Sequence, residues 1–182
     1  MRVVLDACVL YPTVMRELLT GMAGQGLFTP LWSPRILEEW ARATRKLGPD
    51  AEAQARGEIA ILCAQWPEAS QSHPPEAEAG LWLPDPGDIH VLALAIHTRA
   101  GLIVTQNARD FPRRVLADHG LSKASADAFA MQLWQGDPAA VTRAARAVLA
   151  EARRLSGEDW PMRALLKKAG LPRLAKTLKH EE

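Results

Sequence analysis

Short apolar runs alternate along this chain with longer segments that carry helix start and stop signals, and few folds accommodate that alternation. The run "RVVL" at residues 2–5 reads as a buried strand, and residues 27–32 ("LFTPLW") as a second. Residues 81–83 ("LWL") are a third candidate, and "LIVT" at 102–105 is a fourth. Between them, a helix runs from Pro12–Thr13 to about Met22 and is closed by Gly24 and Gly26. Ser33 as N-cap and Pro34 at the first helical position start another, which stops at Gly48. A third helix, about 51–65, ends before Pro67, and "PDPGDIHVLALAIHTRAG" starts a fourth that ends on glycine. Residues 67–80 are polar and proline-rich and read as a loop. Beyond Phe111 the pattern is helical to the end, with breaks near Gly120, Gly136 and Gly157. The expected architecture is α/β: a parallel-stranded sheet flanked by helices over residues 1–121, followed by a helical C-terminal extension over 122–182.

Composition narrows the class. With 48% apolar and 24% charged residues, the 182-residue chain is globular and not disordered. The formal net charge of +1 conceals an uneven distribution. Residues 50–90 hold 8 Asp+Glu against 1 Arg, whereas residues 142–182 hold 10 Lys+Arg against 5 Asp+Glu. A basic tail suits nucleic acid or an acidic partner, or forms a solvated helical face. Cys8 and Cys63 show no metal-binding spacing and read as reduced core thiols. No run of about 18 apolar residues is present, and no basic segment precedes an apolar one at the N-terminus. A soluble, cytoplasmic protein without a signal peptide is the expectation.

The carboxylates are the informative residues. Parallel α/β sheets form their sites at the carboxyl ends of strands. Asp6 stands there, among apolar neighbours, where a lone buried carboxylate costs on the order of several kcal/mol. It is therefore a cap or a site residue. On a helical wheel, Ile36, Leu37, Trp40 and Thr44 make the buried arc; Glu38 points to solvent and Glu39 lies at the flank, within reach of a cleft. Spacing alone equally allows two surface glutamates favoured by the helix dipole. Asp85 before Pro86 reads as an N-cap. Asp88, three residues on, occupies a capping-box position, yet it shares a face with the apolar stripe Val91, Leu92, Ala95 and Ile96, where a carboxylate calls for a cation. Thr105, Gln106, Asn107 and Asp110 follow the last strand. His90 is expected on a different helix face from Asp88, at the surface or against a partner. Trp40 reads as core, and Trp66 and Trp160, beside prolines, as exposed partner contacts.

Taken in order, "VVLDACVLYP", "SPRILEEW", "DPGDIHVLALAI" and "LIVTQNARDF" resemble the PIN-domain nucleases, over about residues 2–118. Many members are VapC-like toxin ribonucleases of bacterial toxin–antitoxin pairs. The resemblance implies an endoribonuclease that cleaves single-stranded RNA with Mg²⁺ or Mn²⁺, is held by a cognate antitoxin protein and forms a homodimer. Asp6, Glu39 and Asp88 match the first three family acids, which implies metal ligands. The fourth family acid is replaced by Asn107, and Asp110 offers a carboxylate three residues on. The implied catalytic set is Asp6, Glu39, Asp88, Asn107 and Asp110. Arg109, Arg113, Arg114 and the basic tail are candidates for meeting phosphate. A haloacid-dehalogenase-type phosphatase needs its second acid where Cys8 stands, and a receiver domain needs a lysine that is missing after Thr105. The rival that stays open is a PIN fold that acts only as a binding module for protein or RNA.

Overall fold

The computed structural model describes residues Met1–Glu181. In chain order its elements are β1 (Arg2–Leu5), α1 (Ala7–Leu10), α2 (Thr13–Gly24), β2 (Thr29–Leu31), α3 (Pro34–Ala43), α4 (Ala51–Gln65), α5 (Ile89–His97), β3 (Leu102–Val104), α6 (Arg113–Asp118), β4 (Ser122–Ala124), α7 (Ala126–Gly136), α8 (Pro138–Ser156), α9 (Met162–Lys168) and α10 (Pro172–Thr177). The strands form one sheet in the order β2-β1-β3-β4. β1 is parallel to both neighbours, with Val4 opposite Leu31 on one side and Leu5 opposite Val104 on the other.

The chain gathers into two compact units. The first holds residues 1–11 and 29–123, and the second holds residues 12–28 and 124–182. The sheet and helices α1, α3, α4, α5 and α6 belong to the first. Its central strands β1 and β3 are largely apolar runs because both sheet faces are covered there; Val3, Val4, Leu5, Ile103 and Val104 are all fully buried. Trp40 on α3 is core, as its wheel position requires. Ser33 caps α3 through a 3.2 Å bond from the Ile36 N–H, with Pro34 at the first helical position. The helix tightens into a 3-10 turn over Thr44–Leu47 before Gly48.

The second unit is all helical apart from its link to β4. Helix α2 packs on α8, where Ala144 Cβ would lie only 3.5 Å from a Cβ placed on Gly21, so small residues set the helix spacing. Phe28 and Phe129 meet edge-to-face with centroids 5.0 Å apart. Gly157 closes α8 in the left-handed conformation at φ 70°, which a glycine adopts without strain. The fold thus divides differently from a cut at residue 121: α2, near the N-terminus, builds its core with the C-terminal helices.

Two local expectations are corrected, and one loop gains definition. Residues 81–83 form no strand: Trp82 is 64% exposed, only Leu83 is buried, and Pro84 and Pro86 remove two ladder donors. The region past Phe111 is not wholly helical, because Ser122–Ala124 is the fourth strand; its Ser122 N–H bonds to the Gly101 carbonyl at 3.1 Å. Residues 69–71 are tied to Trp32, whose N–H and carbonyl bond to Ala69 and Gln71, so that part of the loop extends beside β2.

One buried acid is structural. Asp127 on α7 accepts the Arg173 N–H and the Leu174 N–H, each at 3.1 Å, and so satisfies the opening donors of α10 from 46 residues away. Asp127→Ala should therefore cost about 1–3 kcal/mol. Thermal unfolding should register the loss, and amide exchange should show reduced protection at Arg173 and Leu174.

Candidate active site

The parallel register carries the first site residue into place. Leu5 lies opposite Val104, and the Asp6 N–H bonds to the Val104 carbonyl at 3.1 Å, extending the ladder one step. Asp6 and Thr105 therefore leave adjacent strands side by side. Both are buried. The Thr105 hydroxyl donates to Asp6 Oδ2 at 2.7 Å, and the Ala7 N–H donates to Oδ1 at 2.6 Å. Asp6 is at once the N-cap of α1 and an anchored carboxylate at the strand end. Its backbone carbonyl also accepts from Val9 and Leu10.

Cys8 completes this cage. Its thiol donates to Asp6 Oδ2 at 3.1 Å and its sulfur accepts the Gln106 N–H at 3.2 Å. Burial, then the neighbouring Asp6 charge, push the thiol up to about 12. It stays protonated at neutral pH, so it acts as a hydrogen-bond donor and not as a nucleophile.

Helix α3 separates the two glutamates by task. Glu38 is bound by Arg56 and Arg42 in an exposed network that links α3 to α4. These arginines, Arg56 first, hold its carboxyl down at about 2. Glu52 is likewise held at about 2 by Arg45 and then Arg56. Glu39 has different company: Arg35 at 3.7 Å, and His90 Nε2 at 2.8 Å from Oε1. The histidine contact is short, yet the ring N–H is not aimed along it, and neither ring nitrogen makes a well-aligned hydrogen bond. His90 is 1% exposed, which corrects its expected surface position. Its place on the first turn of α5 puts its ring against α3, beyond what a two-residue offset from Asp88 reveals.

The start of α5 is split. Asp85 accepts the Gly87 N–H at 2.8 Å and caps a 3-10 turn over Pro86–Asp88. Arg35 ties this turn to α3 through the Gly87 carbonyl at 3.4 Å. Asp88 ends the turn and makes no capping hydrogen bond, so the capping-box alternative does not apply. Its carboxyl is raised from 3.8 to about 6, first by burial and then by Asp6, Asp85, Asp110 and Glu39. Those four names define the site: Asp88 feels carboxylates delivered by β1, α3, the turn before α5 and the loop after β3.

That loop positions its residues unequally. The Asn107 N–H bonds to the Thr105 hydroxyl at 3.0 Å, and its carbonyl accepts the Asp110 N–H at 3.0 Å. Asn107 itself is exposed, whereas Asp110 is half-buried and acts on Asp88. Lys123 is drawn onto the Ala108 carbonyl. Arg109, Arg113 and Arg114 are exposed. Among the described residues, no three His, Cys, Asp or Glu side chains are close enough together to hold an ion outright. The donor chemistry nonetheless fits a hard divalent cation: oxygen ligands only, of one sign, destabilised by mutual repulsion.

Burial and repulsion at Asp88 together give a signed pH effect. Between pH about 4 and 6 the folded protein keeps a proton on Asp88 that the unfolded chain has released. Stability therefore falls as pH rises through this window, and the penalty is complete above pH 6. The rise from 3.8 to about 6 corresponds to at most about 3 kcal/mol, and solvent screening of this partly exposed carboxyl lowers the effect further. In the presence of chelator, Asp88→Asn should raise the unfolding midpoint at pH 7, and the gain should disappear near pH 3.5; denaturant titrations across pH measure both.

A search of curated proteins and a search of solved structures return no match to this chain. A family profile described as PIN domain matches residues 2–109, which span β1 through the loop carrying Asn107. The matched span includes Asp6, Glu39 and Asp88 and more than half of the chain. With the parallel sheet and Asp6 at the end of its first strand, this match makes the chain a member of the PIN-domain family, a nuclease fold.

Proposed function

We propose that this protein is a metal-dependent endoribonuclease that cleaves single-stranded RNA, and that it serves as the toxin of a toxin–antitoxin pair. One observation carries the nuclease reading. Asp6 is anchored beside Thr105 at the end of β1, and Asp88, raised first by burial, also feels the charges of Asp6, Asp85, Asp110 and Glu39. Carboxylates of four separate segments thus act on one place, and of these acids only Glu39 has cationic partners, Arg35 and His90, among the described residues. Family membership supplies the reaction class.

Asp6, Glu39 and Asp88 would hold Mg²⁺ or Mn²⁺, with Asp110 as a further oxygen in place of the acid that Asn107 replaces. A divalent cation there lowers the pKa of an attacking water and polarises the phosphodiester. The protein's own residues do the positioning. The Ala7 N–H, the Thr105 hydroxyl and the Cys8 thiol fix both Asp6 oxygens in one orientation. Arg35 and His90 lie against Glu39, while Arg42 and Arg56 engage Glu38, so Glu39 stays outside that arginine network. Asp88 binds a proton below pH 6 and frees its oxygens above it, so cation loading rises through that range.

The toxin role, the antitoxin and the homodimer are supported by the resemblance to toxin ribonucleases. In the first unit the exposed Leu47, Ile61 and Trp82 give a protein partner apolar side chains to cover. Trp66 and Trp160 are half-buried, and Lys168 lies 4.7 Å over the Trp160 ring, which leaves Trp82 as the exposed tryptophan. No helix among the described residues is long and apolar enough to cross a membrane. A cytoplasmic location suits the RNA substrate.

Cleavage of a labelled single-stranded RNA, followed while Mg²⁺ or Mn²⁺ is titrated, is the decisive assay. Asp6→Asn should lower the rate by about 10²-fold or more, since it removes an anchored ligand. Asn107→Asp should lower the metal concentration giving half-maximal cleavage by roughly fivefold, as one added carboxylate at a partly solvated site contributes about 1 kcal/mol. A wild-type protein that cleaves no RNA at any metal concentration would identify a binding module instead.

A further inference from the structure

The second unit carries a groove that the site above does not use. It has a volume of about 290 Å³ and is lined by Arg163 and Lys167 of α9, Pro172, Ala175 and Lys176 of α10, and Lys179 just beyond it. Four of its six lining residues are cations and none is an acid. All four are exposed, and none makes an ion pair among the described residues. From Met162 to His180 the chain contains six Lys+Arg and no Asp or Glu.

The contrast within the same unit is informative. Arg146 pairs with Glu181 at 2.8 Å, Arg153 with Asp159 at 3.0 Å and Arg154 with Glu151 at 2.6 Å. Arginines elsewhere in this unit thus find acidic partners where acids are present, whereas the groove gathers cations that repel one another. The fold requires only the opposite face of these helices: Met162, Leu165, Leu166, Leu171, Leu174 and Leu178 are buried. The cations are therefore not by-products of core packing.

We infer that this groove binds the phosphodiester backbone of single-stranded RNA, as a docking surface separate from the carboxylate cluster. The inference rests on the proposed RNA substrate for the choice of polyanion. Charge complementarity selects the occupant: a strand with a repeated phosphate supplies several anions to one concave row of cations. The shape and lining disfavour a lipid surface, because the apolar residues of α9 and α10 face inward and none of the large exposed apolar side chains belongs to either helix. Phosphate binding of this kind adds affinity without sequence preference.

The test is fluorescence anisotropy of a labelled oligouridine strand in chelator, where no cleavage occurs, across about 50–200 mM salt. The triple variant Lys167→Gln/Lys176→Gln/Lys179→Gln should bind at least tenfold more weakly. Its salt dependence should be shallower by about 2, at roughly 0.7 for each phosphate no longer neutralised. Lysine-to-arginine changes at the same three positions should restore wild-type binding. An unchanged affinity and slope in the glutamine variant, with its unfolding midpoint intact, would overturn the inference. So would loss of binding to phosphatidylserine vesicles while oligouridine binding persists. The nuclease reading fails separately: a wild type that binds oligouridine through the groove but never cleaves RNA refutes catalysis and leaves the groove standing.

Discussion

The pairing of β1 with β3 is the constraint on which the candidate site depends. Because Leu5 faces Val104, the next residue on each strand leaves the sheet at the same level, and Asp6 meets Thr105 with a 2.7 Å hydrogen bond. A register slip of one residue would turn alternate side chains to the opposite face and separate these groups. The Thr105 hydroxyl then accepts the Asn107 N–H, which sets the path of the loop that brings Asp110 toward Asp88. One buried hydroxyl thus links the anchored carboxylate to the loop supplying another. Thr105 is fully buried, so this linkage lies out of reach of competing water.

Glu39 depends on a second, independent arrangement. Adjacent glutamates on one helix point about 100° apart, and here their partners diverge accordingly. Glu38 meets Arg42 and Arg56, and its carboxyl is fully committed as an ion-pair acceptor. Glu39 meets a buried histidine and a more distant Arg35. Arg35 also reaches Glu78 and the Gly87 carbonyl, so a single guanidinium connects α3 to the turn that ends in Asp88. The two halves of the site are coupled through this arginine as well as through the sheet.

What is legible in the sequence follows from how local each signal is. β1, the Ser33–Pro34 start of α3 and the Asp85–Pro86 turn are readable because their determinants are neighbours in the chain: a continuous apolar run or a capping side chain two or three residues from its donor. The strand-end placement of Asp6 is readable for the same reason. β4 is not, because three residues of mixed burial carry no periodicity and their position depends on Gly101 across the sheet. The "LWL" segment misleads in the opposite way, since apolar residues alone do not supply a strand partner. His90 is misplaced by its spacing because its burial depends on packing against another helix, which positions along α5 do not encode. The grouping of α2 with the C-terminal helices and the role of Asp127 are likewise long-range: each pairs residues more than 40 positions apart.

Charge shows the same distinction between local and collective effects. Where acids and bases are neighbours on a helix surface, they neutralise each other, as in the Glu38, Arg42, Arg45, Glu52 and Arg56 network. Such exposed pairs contribute little to stability and leave no demand for a ligand. Two regions escape this cancellation. At the candidate site, burial and then the charges of Asp6, Asp85, Asp110 and Glu39 make Asp88 retain a proton to about pH 6. Along α9 and α10, cations line a groove without a single acid. An uncompensated charge cluster raises the free energy of the isolated protein and lowers it again when a counter-charge binds. The acidic cluster calls for a small, highly charged cation, and the basic groove for an extended anion. Each demand is met within its own unit, so each cluster is a separate test of whether uncompensated charge marks a ligand.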